Sequence, residues 1–108
     1  MKIPTSFKLT AHHVKVRTIP KEKWKHPDCV GFYEPHDNTI HVMESDGNKT
    51  QHAFAHELVH AILHHKGHKL YSHEGFVDSF AALLTQALTT ARYPEPRQPR
   101  RKPTKPRA

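Results

Sequence analysis

The segment AFAHELVHAILHHKGH, residues 53–68, limits what this chain can fold into more than any other stretch. Ala53, Phe54, Leu58, Ala61 and Ile62 recur at helical spacing to about Lys66, and Gly67 offers a natural end. A helix with that stripe must bury one side. Yet the same segment carries His56, Glu57 and His60, ionisable groups that cost stability when buried without partners. Residues four apart on a helix share a face, about 40° and about 6 Å from each other. His56 and His60 can therefore each present a ring nitrogen to one ion. Glu57, turned by about 100°, would reach a water on that ion rather than the ion itself. The other reading is a histidine face, His56, His60 and His64, turned to solvent.

Twelve of the 108 residues are histidines, so H-E-x-x-H arises by chance roughly 0.07 times at this composition. A third ligand separates the readings, because catalytic zinc takes three protein ligands and leaves a fourth position to water. The stretch SHEGFVDSFAALL predicts a second helix, starting near Ser72, a residue type suited to a helix N-cap. It continues through Phe76, Val77, Phe80, Leu83, Leu84, Ala87 and Leu88 and ends before Pro94. Glu74 falls in its first turn and Asp78 one turn later on the same face. Glu74 would complete a His-His-Glu set, although a glutamate is favourable at any helix N-terminus. Asp78 would accept the free ring N–H of a ligand histidine and set its tautomer. Asp78 itself, His64 and His73 are the rivals for the third position.

HELVH, a short loop, and then E-x-x-x-D on a second helix resemble the gluzincin metallopeptidases with their glutamate helix. AHELVHAILHH followed by EGFVDSFAALL is similar to the ImmA/IrrE-type metallopeptidases and their compact phage or mobile-element relatives, down to the Phe80-Ala81 step. The likeness covers residues 50–88, is weaker over GFYEPHDNTIHV, and leaves out the C-terminal tail. It implies zinc and proteolysis, with Glu57 as general base, and in the best-known members cleavage of a repressor. This chain shows no helix-turn-helix module. Metzincins fit poorly, since Lys66 stands where a third histidine would follow His60 by six residues. For the oxyanion that such chemistry develops, Tyr71 and His73 are the candidate donors, beside unspecified loop residues. The strand TIHVM before the first helix is expected to form the upper edge of the sheet, where a protein or peptide substrate could add as a further strand.

The rest of the chain supplies a scaffold. Phe7, Leu9, Val14 and Val16 alternate with polar residues, which predicts a strand, or a hairpin broken near AHH. CVGFYE and TIHVM are two more strands around the turn PHDN. SDGN turns the chain into the first helix, with Asn48 and Gln51 as a capping box. The expected class is α+β: about three antiparallel strands, then two helices, in a minimal domain over residues 1–91. Residues 92–108 hold seven Lys/Arg against one Glu and five of nine prolines, the composition of a disordered or polyproline-like tail. The rest balances ten Lys/Arg against nine Asp/Glu, so the net charge of +7 belongs to the tail. Such a tail serves solubility, or touches nucleic acid or an acidic partner.

No leader-like or bilayer-length apolar run is present, so the expectation is a soluble, cytoplasmic protein without a membrane partner. Cys29, alone, can form no internal disulfide and is expected to be small and buried. Trp24 is either a core plug or a contact, and His12, His13, His26, His36 and His41 are expected on the surface or on strand faces. Three classes compete: a zinc peptidase, a zinc-stapled inactive binding module, and a basic nucleic-acid-associated protein.

Overall fold

The structure, a computed structural model, describes residues 2–94. The tail expected over 92–108 therefore lies outside the described residues from position 95 onward. The chain forms strands β1 (Ser6–Leu9), β2 (His12–Ile19), β3 (Gly31–Glu34) and β4 (Thr39–Met43). Helix α1 (Lys49–His65) and helix α2 (Glu74–Thr90) follow, with single 3-10 turns at Lys21–Lys23 and Lys69–Ser72.

The alternating segment 7–19 is the hairpin rather than one strand. β1 and β2 pair antiparallel, with Phe7 opposite Val14, and Thr10 takes a positive φ of 55° in the turn between them. The sheet thus has four strands, and it is mixed. Its order is β1-β2-β4-β3, with β2 and β4 parallel and β3 and β4 antiparallel. The expectation of TIHVM at the sheet edge is overturned: β4 is interior and β3 is the edge. Burial explains the exchange. Ile40 and Val42 of β4 are wholly buried, beside Val14 and Val16 of β2, whereas β3 is half-buried at Phe32 and Glu34. The strand with most apolar surface to hide takes the interior place. The segment 20–30, pinned by the Trp24 indole donating to the carbonyls of His26 and Cys29, carries the chain across to the far edge.

α1 lies between two partners. Ala53, Phe54 and Ala61 pack on Val14, Val16, Tyr33, Ile40 and Val42 of the sheet, and the Phe7 and Phe54 rings meet edge-on at 6.2 Å. The opposite flank, Ala55, Val59 and Leu63, packs on Val77 and Ala81 of α2. Ala55 and Ala81 are the small residues of this contact. The entry to α1 differs from the expected capping box. Asn48 stands at the N-cap position without a side-chain cap bond, and the Thr50 hydroxyl instead ties the turn by accepting from Ser45 N–H and donating to Ser45 O. α2 begins at Glu74 rather than Ser72, because His73 is its cap: His73 Nδ1 accepts from Phe76 N–H at 2.9 Å.

Candidate metal centre

His56 and His60 leave α1 on the side facing α2, where Glu74 opens the second helix. Gly67, at φ 63°, ends α1 in a left-handed turn, and the 3-10 turn through Tyr71 returns the chain so that Glu74 meets both rings. Glu74 Oε2 lies 3.1 Å from His56 Nε2, and Oε1 lies 3.0 Å from His60 Nε2. The ligand atoms of His56, His60 and Glu74 all fall within 4.8 Å of one another, so the three could hold a metal ion. Ligands on a tetrahedral ion with bonds of about 2.0–2.1 Å stand about 3.3 Å apart, near the two distances from Glu74 to the rings. The set fits a divalent ion chemically as well, with two imidazole nitrogens and one carboxylate.

Each histidine has a partner at its second nitrogen. His60 Nδ1 is 2.8 Å from the Tyr71 carbonyl, which can only accept, so Nδ1 carries a proton and Nε2 is the nitrogen turned toward Glu74. Asp78 Oδ1 lies 3.5 Å from His56 Nδ1 and 3.6 Å from His52 Nε2. It thus stands beside the histidine rather than within the ligand group, where the sequence had kept it as a rival. His64 is also outside the group: its ring packs against Tyr33 and Tyr71.

Glu57 lines the same cavity as His56, His60 and Glu74, is 7 % exposed, and accepts a hydrogen bond from the Tyr33 backbone N–H on β3. Burial pushes its pKa up to about 7. The His56 charge and the Tyr33 bond pull it down, while Glu74 adds to the rise. Glycine at residue 31 lets β3 lie tight against β4 beside Glu57. A Cβ there would stand 3.0 Å from the His41 carbonyl oxygen and 3.5 Å from Glu57 Cγ.

These groups line a cavity of about 610 Å³ walled by β3, α1 and the start of α2, with Val30 and Tyr71 at its sides. Burial raises the pKa of the Tyr71 phenol, as do the Glu57 and Glu74 charges, so at neutral pH it remains an O–H donor. His73 is not among the cavity-lining residues, and its Nδ1 serves the helix cap. Cys29, expected to be buried, is exposed at the cavity wall, because the loop that carries it lies over the sheet edge rather than in the core. Two contributors were not identified from the sequence. His52 precedes His56 by one helical turn, a spacing visible in HAFAHELVH. The Tyr33 amide has no sequence signal, since any residue supplies a backbone N–H. No helix among the described residues is long and apolar enough to cross a membrane. No family model, curated protein or solved structure matches the chain.

Proposed function

We propose that this chain is a zinc-dependent peptidase, with His56, His60 and Glu74 as the ligands and Glu57 as general base. The observation that carries the reading is one carboxylate, Glu74, within hydrogen-bonding distance of both His56 and His60 Nε2, with a buried Glu57 beside them. Zinc is favoured by the donor set, since two imidazoles and a carboxylate with an open side make a catalytic rather than a closed structural site. When bound, the ion supplies Lewis acidity, polarising a carbonyl oxygen and acidifying water.

The protein's own groups do the rest. Glu57 takes a proton from the attacking water and returns it to the leaving amine. Tyr33 N–H holds the Glu57 carboxylate in place, and the Tyr71 carbonyl and Asp78 orient the two imidazoles. Tyr71, protonated and on the cavity wall, is the candidate donor to the developing oxyanion. An extended protein or peptide substrate would lie along β3, the strand edge beside the cavity, rather than along β4.

Two measurements on one pair of proteins test this. Wild type should bind about one zinc per chain and hydrolyse an unstructured protein substrate. Glu57→Gln should keep the zinc and lose about 10²–10⁴-fold in rate. Zinc bound without hydrolysis in either protein would instead favour the stapled, inactive binding module. A folded wild type that binds no metal would leave the nucleic-acid-associated reading of the basic tail.

A further inference from the structure

A second cavity, of about 920 Å³, opens beside the metal centre. It lies at the start of β3, between the segment that follows β2, the turn from β4 into α1, and the first turn of α1. Val30, His52 and Ala53 line both cavities, so the two join in one cleft. Val30, the residue before β3, is 53 % exposed at that junction. A peptide extended along β3 past the metal centre continues over Val30 and into the second cavity.

The lining says what kind of side chain fits there. Val30, Met43 and Ala53 give the cavity an apolar side, and Glu22, Glu44 and Asp46 add three exposed carboxylates. None of the three forms an ion pair among the described residues. Lys21 and Lys49 also line the cavity, one cation fewer than the carboxylates. The same bias runs through the whole cleft. With Glu57, Glu74 and Asp78, six carboxylates line the two cavities against those two lysines. A divalent ion at the metal centre would leave the carboxylates in excess. The full chain carries the opposite sign, +7, so the cleft is a local negative field on a basic protein. Lys and Arg match such a lining, because they lay an apolar stem on apolar surface while the charged head stays free to meet an anion. An acidic side chain would meet three like charges instead.

We propose that the second cavity is the specificity pocket of the cleft, taking a Lys or Arg side chain of an extended peptide, with Glu22, Glu44 and Asp46 as the residues that select it. The path of the peptide rests on the peptidase reading, but recognition in the pocket can be read by binding alone. The three selecting carboxylates stand on the segment after β2 and the turn after β4, apart from His56, Glu57, His60 and Glu74. Neutralising them therefore leaves the metal ligands in place.

Fluorescence anisotropy tests this on the zinc-loaded full chain carrying Glu57→Gln, so that the probes stay whole. The probes are two labelled peptides of Ser, Thr and Val, about twelve residues and about 40 Å long when extended. They differ at one central position, which holds arginine or its uncharged isostere citrulline. The arginine probe should bind at least about fivefold more tightly at low salt. Adding Glu22→Gln, Glu44→Gln and Asp46→Asn should bring the two probes within about twofold and leave the citrulline probe unchanged. Equal binding of both probes before those substitutions overturns the proposal. So does a preference that survives them, or an arginine probe that stays unbound up to about 1 mM. Wild-type turnover is scored apart. An arginine probe that binds selectively and is never hydrolysed removes the peptidase reading and keeps the pocket, whereas hydrolysis of both probes with equal kcat/KM does the reverse.

Discussion

His56 and His60 leave α1 toward α2, whereas His64 and His65 leave its last turn toward the ends of the strands. All four sit in one helix within ten residues, and composition does not tell them apart. Their surroundings do. The first pair meets a carboxylate at 3.0 and 3.1 Å, with a carbonyl or a second carboxylate behind each ring. The second pair meets aromatic rings and an amide: His64 lies against Tyr33 and Tyr71, and His65 Nε2 donates to Asn38 Oδ1 at 3.0 Å. Burial, with the nearby charges of His12 and His64, lowers the His65 pKa, which keeps it a neutral donor. An imidazole can serve as a metal ligand where an anion converges with it, and among these four only the first pair has one.

The comparison breaks most readily at its anion. Glu74→Ala should weaken zinc binding by roughly 10²–10³-fold, about one ligand's share of a site's affinity, while His64→Ala should leave it within about twofold. Competition against a chromophoric chelator measures both. Equal losses in the two variants would mean that Glu74 does not set the two histidine pairs apart.

Acidity sharpens it next. In metal-free protein the folded-state pKa of Glu57, about 7, stands above its ordinary 4.5, so the folded state holds the proton more tightly than the unfolded chain. That contribution to stability is complete below pH 4.5, falls as pH rises, and is gone above about 7. Its size is about 3 kcal/mol, and Glu57→Gln should remove this slope. Urea unfolding of chelator-treated wild type and variant between pH 4.5 and 7.5 reads the difference. Parallel pH profiles would mean that Glu57 is not buried as described.

The smallest effect belongs to the other histidine pair. Asn38, left-handed at φ 51°, accepts from the Tyr33 hydroxyl and His65, and donates to the His13 carbonyl. Asn38→Gly keeps the backbone free to adopt that turn and removes the side-chain bonds, at a cost of about 1–2 kcal/mol. Zinc affinity should not move, because nothing in this cluster touches the ligands. A thermal melt together with the same chelator competition checks both halves.

How far the sequence spoke for itself can be judged residue by residue. Helical period placed His56 and His60 on one face of one helix and Glu74 with Asp78 on one face of the next; alternation marked residues 7–19, and the turn PHDN set off CVGFYE and TIHVM. These are local properties, set by backbone geometry within a few residues. The order β1-β2-β4-β3 was not legible, because alternation in GFYE and TIHVM looks the same whichever of them is the edge. Nor was the Tyr33 amide beneath Glu57, which depends on the backbone of β3 passing closely over α1 at Gly31. The exposure of Phe80 and Leu83 was hidden too, since an apolar residue on a helix does not say which neighbour covers it.

By itself, then, the sequence determined which side chains share a face: two imidazoles on α1 and two carboxylates on α2. Only the tertiary structure decided that the carboxylate of Glu74 meets both rings, that β3 rather than β4 borders the cavity, and that Cys29 lies at the surface. The physical reason is range. Dihedral preferences and side-chain periodicity act along a few residues of chain. Helix-on-helix facing and strand order depend on which apolar surfaces, tens of residues apart, are buried together.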